Sequence, residues 1–157
     1  MKILVVGSRN FNNYELLKNT IDATAEVYDD IEIVSGGAKG ADSLAEQYAK
    51  EKGYALKIFP ADWNKYGKSA GYRRNAEMHK YISEFKDRLC VAFWDGQSKG
   101  TQHNFELAAQ YKNPIILVKY QSDINVKATL VEDELWLTEN QSNYLWAGNG
   151  VLPKITF

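Results

Sequence analysis

Ser35-Gly36-Gly37-Ala38-Lys39-Gly40-Ala41-Asp42 is the stretch of sequence that decides the fold of this protein. It follows Ile31-Glu32-Ile33-Val34, whose β-branched side chains and alternation predict a strand. Apolar residues after the turn recur at the spacing of one helix face, namely at Ala41, Leu44, Ala45, Tyr48 and Ala49. Glycines let the backbone approach a ligand, and the N–H groups at a helix N-terminus attract negative charge. The stretch therefore predicts a strand, a glycine-rich turn and a helix that hold a phosphate.

The same order of strand, turn and helix continues on both sides of this stretch. Apolar runs predict strands at residues 2–8, 54–59, 88–94 and 115–118, and the segments between them predict helices. A second glycine-rich turn, Asp95 to Thr101, follows the fourth strand and begins another helix. Parallel strands need crossover connections and cover on both faces. The sequence therefore predicts an α/β fold, a Rossmann-like doubly wound, mainly parallel five-stranded sheet with helices on both faces.

Pro60 to Gly71 is rich in polar and aromatic residues. We interpret it as a long functional loop that leads into a helix from about Tyr72 to Phe85. Its position after the third strand places it at the edge of the sheet where ligands bind in this class of fold.

The tail after Tyr120 departs from the alternation of strands and helices. Thr129 to Leu137 alternates weakly, and a Gly148-Asn149-Gly150 turn separates two short apolar runs, Tyr144-Leu145-Trp146 and Val151-Leu152. We predict a Rossmann-like domain over residues 1–119 and, over 120–157, a C-terminal extension packed on the same domain as a small β appendage. The appendage either covers an edge of the sheet or forms an oligomer contact.

Composition places the chain among ordinary globular proteins. It has 157 residues, a formal net charge of −1 and 45% hydrophobic residues, and its N-terminus predicts a strand rather than a secretory signal. With no apolar run long enough to cross a bilayer, we expect a cytoplasmic protein without a membrane partner. Cys90 lies inside a predicted strand, which favours a packing role. His79 and His103 lack a second ligand at metal spacing, so we expect no metal.

Charged residues gather at the edge of the sheet where the strands end. The loops there carry more cations, Arg9, Lys39, Lys65, Lys68, Arg73, Arg74 and Lys99, than anions, Asp42, Asp62, Glu77 and Asp95. This balance favours an anionic ligand, and an arginine there suits bidentate contact with phosphate. Four aromatic residues of the same loops offer faces for a base, with core packing as the alternative role: Trp63, Tyr66, Tyr72 and Trp94.

On these residues the chain resembles the SLOG superfamily, close to its YspA/YpsA-like branch. The resemblance extends over residues 1 to about 119 and rests on five segments in order: Gly7-Ser8-Arg9, Ser35 to Asp42, Pro60-Ala61-Asp62-Trp63, Ala70 to Met78 and Trp94 to Thr101. It implies a Rossmann-like fold that binds a nucleotide or a nucleotide-derived ligand. Relatives often assemble, so it also implies a homo-oligomer.

Cytokinin-activating phosphoribohydrolases, which cleave the N-glycosidic bond of a nucleoside monophosphate, are relatives by this resemblance. They use an arginine and a glutamate beside a Pro-Gly-Gly-x-Gly-Thr-x-x-Glu turn. Gly100-Thr101 matches part of that turn, the leading Pro-Gly-Gly is absent, and Glu106 lies five positions after Thr101. If the chain is an enzyme, this resemblance implies Arg74, Glu106 and Glu77 as catalytic candidates.

DNA-processing proteins of natural transformation are similar in another way. Their Ser-Gly-x-Ala-x-Gly-x-Asp turn and Arg-Asn pair, which bind single-stranded DNA, match Ser35 to Asp42 and Arg74-Asn75. A net charge of −1 without a basic stripe outside the sheet edge argues against a strand-binding role. Single-stranded nucleic acid is therefore the less favoured partner.

The leading hypothesis is a protein that binds a nucleotide, an ADP-ribose or NAD-like molecule, or a cyclic nucleotide, as a sensor, a sequestering protein or a processing protein. No cofactor is assigned beyond this ligand, and whether the ligand is cleaved stays open. The predicted ligand-binding residues are Gly7, Ser8, Arg9, Ser35, Gly36, Gly37, Lys39, Gly40, Asp42, Asp62, Trp63, Arg74, Asn75, Trp94, Asp95, Ser98, Lys99, Gly100 and Thr101.

Overall fold

The computed structural model describes residues 1–120 in full and the backbone of three further strands. Strands and helices alternate over residues 1–120, and the residues described after Tyr120 form strands. In order they are β1 Lys2–Gly7, α1 Tyr14–Ala25, β2 Glu32–Ser35, α2 Ala41–Lys52, β3 Ala55–Ile58, α3 Trp63–Tyr66, α4 Ala70–Ser83, β4 Arg88–Trp94, α5 Lys99–Gln110, β5 Ile115–Tyr120, β6 Thr129–Val131, β7 Glu134–Glu139 and β8 Asn143–Gly148.

The first five strands form an all-parallel sheet in the order β3-β2-β1-β4-β5. Ile3 of β1 pairs with Ile33 of β2 on one side and with Leu89 of β4 on the other. The chain builds outward from β1 in one direction, then crosses back to β4 and builds in the other. The predicted Rossmann-like, doubly wound sheet is confirmed, and its reversal point lies between β1 and β4.

The three strands of the tail continue this sheet with antiparallel pairing. β8 pairs with β5, where Leu117 stands opposite Trp146, and β7 and β6 follow it outward. These three strands thus lie along the β5 edge of the parallel sheet. The Val151-Leu152 run and the second half of the predicted glycine turn lie outside the described residues.

Side chains that alternate along β1, β2, β4 and β5 build one core on each face of the parallel sheet. Helices α1 and α2 cover the face formed by Ile3, Val5, Ile33, Val91 and Phe93. Helices α4 and α5 cover the other face, formed by Leu4, Val6, Val34, Cys90, Ala92 and Leu117. Cys90 is buried, and burial raises the pKa of its thiol, which suits packing rather than reaction.

The segment predicted as a loop from Pro60 to Gly71 is largely helical, so that prediction is wrong. Asp62 caps α3 because its side chain accepts a hydrogen bond from the Lys65 amide at 3.1 Å. A single turn of 3₁₀ helix, Gly67–Ser69, then leads directly into α4. Most side chains here are exposed, so no apolar face marked the helix in the sequence. No helix among the described residues is long and apolar enough to cross a membrane.

Candidate functional site

A cavity of about 250 Å³ opens at the point where the strand order reverses. It lies beyond the carboxyl ends of β1 and β4, where open parallel sheets bind their ligands. The N-terminal turns of α2, α4 and α5 surround it. The residues that line this main cavity are Val6, Gly7, Arg9, Ala38, Asp42, Trp63, Lys68, Gly71, Tyr72, Arg74, Asn75, Met78, Ser98, Gly100, Thr101 and Asn104.

The first glycine turn, Ser35 to Asp42, packs directly against the loop after β1. Gly40 has a φ of +78°, and a Cβ there would stand 2.4 Å from the Ser8 carbonyl oxygen. A Cβ on Gly7 would stand 2.5 Å from the Ala41 Cβ. Only glycine allows this approach of the two backbones.

Several amides of the first turn donate within the protein. The Gly37 amide donates to Ser35 Oγ at 3.2 Å, and the Ala38 amide donates to Asp42 Oδ2 at 3.1 Å. The Ala41 amide donates to the Ser8 carbonyl oxygen at 3.4 Å. We expected the backbone amides of this turn to bind a phosphate. One of them, the Ala38 amide, instead donates to the Asp42 carboxylate.

Arg74 of α4 lies over this turn. Its Nη1 donates to the Gly36 carbonyl oxygen, and its Nε donates to Asn75 Oδ1 at 3.0 Å. A Cβ on Gly36 would stand 2.7 Å from Arg74 Nη1 and 2.9 Å from Asp42 Oδ2, so the missing side chain leaves room for both groups. Burial lowers the pKa of Arg74, and the nearby Asp42 carboxylate opposes that shift. The guanidinium stays charged and faces the cavity.

Asp42 brings a buried carboxyl group to the cavity wall. Its exposed fraction is 7%. Burial raises its pKa to about 6, against the opposing effects of the Ala38 amide and the Arg74 guanidinium. Above that pH the side chain is an ionised group that only accepts hydrogen bonds.

The second glycine turn, Asp95 to Thr101, is held by its own side chains. Asp95 Oδ1 accepts from the Gln97 amide at 2.9 Å and from the Ser98 amide at 2.8 Å. Burial would raise the pKa of Asp95, but these two amides and the Ser8 hydroxyl lower it. Ser98 caps α5 by accepting from the Thr101 amide at 3.4 Å. Gly100 is open, since a Cβ there would meet no heavy atom within 4 Å.

A buried polar network supports α5 from behind the second turn. His79 Nε2 lies 3.1 Å from Asn104 Oδ1, and Asn104 Nδ2 donates to the Gly100 carbonyl oxygen at 3.0 Å. On the other side, Asn113 Nδ2 lies 3.1 Å from His79 Nδ1, while Asn113 Oδ1 accepts from Arg88 Nε at 2.7 Å. Asn113 therefore donates to Nδ1, and the proton of the neutral ring is on Nε2. Burial lowers the pKa of His79 to about 4, so the ring is neutral at pH 7.

Two further cavities flank Arg74. One, of about 350 Å³, shares Arg9, Ala38, Trp63 and Arg74 with the main cavity and adds Gly36, Gly37, Lys39, Pro60 and Ala61. The other, of about 210 Å³, is lined by Pro60, Asp62, Lys65, Tyr66, Ala70, Arg73, Arg74 and Glu77. Arg74 is common to all three.

The predicted site residues fall into four groups. The main cavity brings together Gly7, Arg9, Asp42, Trp63, Arg74, Asn75, Ser98, Gly100 and Thr101. Gly36, Gly37 and Lys39 line the flanking cavity of about 350 Å³. Asp62 and Glu77 line the flanking cavity of about 210 Å³. Ser8, Ser35, Gly40, Trp94 and Asp95 support the turns from outside these linings. Lys99 and Glu106 are exposed on α5, also outside the three linings.

Trp94 differs from its predicted role, and Asn104 is a cavity residue that the sequence analysis missed. The Trp94 ring packs edge-on against Phe105 at 5.2 Å, and its Nε1 donates to the Ser98 carbonyl oxygen at 3.1 Å. Asn104 lines the main cavity but is absent from the predicted set. The sequence did contain a signal for Asn104. Its amide lies three residues after Thr101, on the helix face that also carries the apolar Phe105 and Ala108. Within residues 1–120, no cluster of three or more His, Cys, Asp or Glu could hold a metal ion.

Comparisons with known proteins identify relatives of the chain. Residues 1–66 match the sequence profile of the YAcAr family, described as the YspA, cpYpsA-related SLOG family. The chain is also similar to the Gene 61 protein of Mycobacterium phage D29, with 32% identity over 125 residues, which are 73% of this chain and 94% of that protein. The profile match ends after α3 and so includes the first glycine turn but not Arg74 or the second turn.

Proposed function

Because the chain belongs to the YspA, cpYpsA-related SLOG family, we propose that it binds a nucleotide or nucleotide-derived ligand in the main cavity. Membership of this family suggests nucleotide-ligand binding or DNA processing. In our proposal the phosphate lies against the N-terminus of α5 and the base lies against an aromatic ring of the cavity wall.

The observation that carries the proposal is the combination of cations and exposed rings around one cavity. Arg9, Lys68 and Arg74 line it together with two large aromatic side chains. Trp63 is 50% exposed and Tyr72 is 46% exposed. Aromatic faces left open beside cations suit a planar base attached to an anionic group.

The phosphate position follows from the second turn. Helix α5 is twelve residues long, so its N-terminus carries the positive end of a helix dipole. Gly100 leaves its backbone accessible from the cavity, and the Ser98 and Thr101 hydroxyls stand beside it. Backbone amides and hydroxyls at a helix N-terminus are common phosphate ligands.

A thermal-shift screen tests the proposal. The panel contains nucleoside mono-, di- and triphosphates, ADP-ribose, NAD and cyclic nucleotides. A ligand at about 100 times its Kd adds about 2.7 kcal/mol to the free energy of unfolding, which corresponds to roughly 5–10 °C in Tm for a chain of this size. If no member of the panel raises Tm, the proposal is wrong.

Two adjacent arginines of α4 provide a matched pair of variants for this screen. Arg74 lines the main cavity, whereas Arg73 is exposed, donates to Ser69 Oγ at 3.2 Å and lines only the cavity beside α3 among the three. Arg74→Ala should weaken binding about 10- to 100-fold because a charge-assisted contact is lost. Arg73→Ala removes the same charge one residue away and should change binding less than threefold.

Single-stranded DNA is the second candidate, and the contact between Arg74 and Gly36 favours it. That contact joins the two segments that match those which the DNA-processing relatives use. Lys68 lines the main cavity with the exposed Trp63, and Lys65 and Arg73 line the neighbouring cavity beside α3. Binding of this kind weakens steeply with salt. A titration with a labelled oligonucleotide at 50 mM and 200 mM salt should show a loss of several-fold or more if this role is correct.

N-glycosidic cleavage has narrower support from the same cavity. This reaction needs a carboxylate near the sugar. Asp42 lines the main cavity, whereas Glu77 lines the cavity beside α3 and Glu106 is exposed on α5. Incubation with each nucleoside monophosphate, followed by chromatography for free base, tests this activity. Free base that disappears in Arg74→Ala but persists in Glu106→Gln would support cleavage without the predicted Glu106 role.

A further inference from the structure

We infer that Asp42 and Asn75 receive the hydroxyl groups of a ribose, so that the main cavity selects ribonucleotides over their 2′-deoxy counterparts. The inference rests on the proposed function and adds the sugar to it. It assigns to Asp42 a role in specificity rather than in phosphate binding.

The chemistry of Asp42 disfavours a phosphate in direct contact with its carboxylate. The carboxylate is buried, and its Oδ2 already accepts from the Ala38 amide at 3.1 Å. Two anions in a partly buried site repel each other strongly. An ionised carboxylate accepts hydrogen bonds and donates none, so a ligand group that meets it must be a donor.

Asn75 supplies the complementary group. It is buried and lines the same cavity, and its Oδ1 accepts from Arg74 Nε at 3.0 Å. Its amide nitrogen therefore carries the two remaining hydrogen-bond donors. Arg74 joins the two residues, since its guanidinium also lies beside Asp42 Oδ2 over Gly36. Arg74 thus holds an acceptor, the Asp42 carboxylate, and a donor, the Asn75 amide nitrogen. This pair matches two vicinal hydroxyls, because each hydroxyl can donate one hydrogen bond and can also accept.

The two ends of the main cavity thus differ in polarity. Asp42 presents an acceptor at the N-terminus of α2, whereas the N-terminus of α5 presents the open backbone of Gly100 beside the Ser98 and Thr101 hydroxyls, which lie 3.2 Å apart. A nucleotide satisfies both ends when its sugar hydroxyls lie toward Asp42 and its phosphate lies toward α5. This orientation leaves the base near Trp63 and Tyr72, whose rings are exposed in the same cavity.

The expected selectivity follows from the cost of an unpaired group. A site built to bind a hydroxyl rejects the analogue that lacks it, because its own polar group is left without a partner. Asp42 keeps the Ala38 amide and the Arg74 charge in either complex, so the effect is smaller than for an isolated group. We expect a preference for ribose of roughly 10- to 100-fold in Kd.

Paired calorimetric titrations of the wild-type chain provide the test. The probes are AMP, GMP, CMP, UMP and ATP, each with its 2′-deoxy counterpart, together with ADP-ribose and NAD. Tighter binding of the ribose form in each pair that binds supports the inference. Equal binding within the pairs overturns it while leaving nucleotide binding intact. Binding by none of the probes overturns the proposed function and the inference with it.

Two variants sharpen the assignment to Asp42. Asp42→Asn removes the charge at nearly constant shape and should reduce the ribose preference to less than about threefold. Glu46→Gln is the matched control, because Glu46 lies one turn further along α2, accepts from Ser35 Oγ at 3.2 Å and lies outside the main cavity. Retained preference in Asp42→Asn would overturn the role of Asp42. Circular dichroism establishes that each variant is folded, and the wild-type titrations do not depend on either variant.

Preference for the deoxy forms is a further informative outcome. Equal or tighter binding of a deoxy-oligonucleotide, with a steep dependence on salt, would contradict the ribose assignment and favour the DNA candidate.

Discussion

The two glycine turns look alike in sequence but present opposite chemistry to the cavity. Each follows a strand, contains an aspartate and begins a helix of twelve residues. Asp42 lies inside the first turn of α2 and faces the main cavity, whereas Asp95 precedes α5 and binds the Gln97 and Ser98 amides. The position of the aspartate relative to the helix start therefore decides which turn presents its carboxylate to the main cavity and which binds its carboxylate within the turn.

The turns also differ in what holds them. The first depends on other parts of the chain, since Ser8 packs on Gly40 and Arg74 donates to Gly36. The second is held by its own Asp95 and Ser98 and is supported from behind by the His79 and Asn104 pair. We therefore expect backbone changes to damage the first turn most, and side-chain changes behind α5 to damage the second.

The largest effect is expected from alanine at Gly40. Its φ of +78° and the 2.4 Å approach of a Cβ to the Ser8 carbonyl oxygen combine backbone strain with a clash against backbone. Gly40→Ala should lower the free energy of unfolding by roughly 3–5 kcal/mol. Gly100→Ala meets no atom within 4 Å and should be neutral or stabilising by up to about 1 kcal/mol. Urea denaturation of both variants measures the difference, and equal losses would contradict the contrast between the turns.

The next effect concerns the support behind α5. Asn104→Leu leaves His79 Nε2 without its partner and removes the side-chain hydrogen bond to the Gly100 carbonyl oxygen, which keeps its helical amide partner, and should cost about 2 kcal/mol. Ligand binding should weaken in the same variant, because Gly100 and Asn104 both line the cavity. Gln102→Leu, an exposed change on the same helix, should stay within about 0.5 kcal/mol. A loss in Asn104→Leu no greater than in Gln102→Leu would mean that the network does not support the turn.

The third prediction uses pH, because the two turns respond to it in opposite directions. Burial raises the pKa of Asp42 to about 6. The Glu46 carboxylate shifts this pKa in the same direction, and the charges of Arg74 and Arg9 oppose the shift. The folded state therefore keeps a proton that the unfolded state has lost, and Asp42 lowers stability as pH rises from about 4 to 6. Burial lowers the pKa of His79 to about 4. His103 shifts this pKa in the same direction, and the hydrogen bond with Asn104 opposes the shift. Its contribution is lost as pH falls from about 6.5 to 4.

These opposing contributions partly cancel in the wild-type protein. Asp42→Asn removes one of them, so its free energy of unfolding should fall more steeply than that of the wild type between pH 6.5 and 4, by roughly 2 kcal/mol. Urea midpoints at half-unit pH steps measure both curves. Parallel curves for the two proteins would show that Asp42 does not titrate in this range.

The sequence was sufficient for the parallel sheet but only partly for the site. Strands and helices were predictable because their periodicity is local, as in Ile31 to Val34 and Ala41 to Ala49. The roles of Asp42 and Asp95 were not, because an aspartate beside glycines can bind its own turn or face a cavity. His79, Asn104 and Asn113 meet only after folding, across separations of 25 and 34 residues. The short helix α3 was missed because its side chains are mostly exposed.

The smallest expected effect compares the serines of the two turns. Ser35 Oγ accepts from the Gly37 amide at 3.2 Å, and Ser98 Oγ accepts from the Thr101 amide at 3.4 Å, so each alanine variant should lose about 1 kcal/mol of stability. Ligand affinity separates them, because Ser98 lines the main cavity and Ser35 does not. Ser98→Ala should weaken binding of a phosphate-bearing ligand about three- to tenfold, and Ser35→Ala less than twofold. The opposite order of affinities would move the phosphate to the first turn, because only a ligand held there would depend on Ser35.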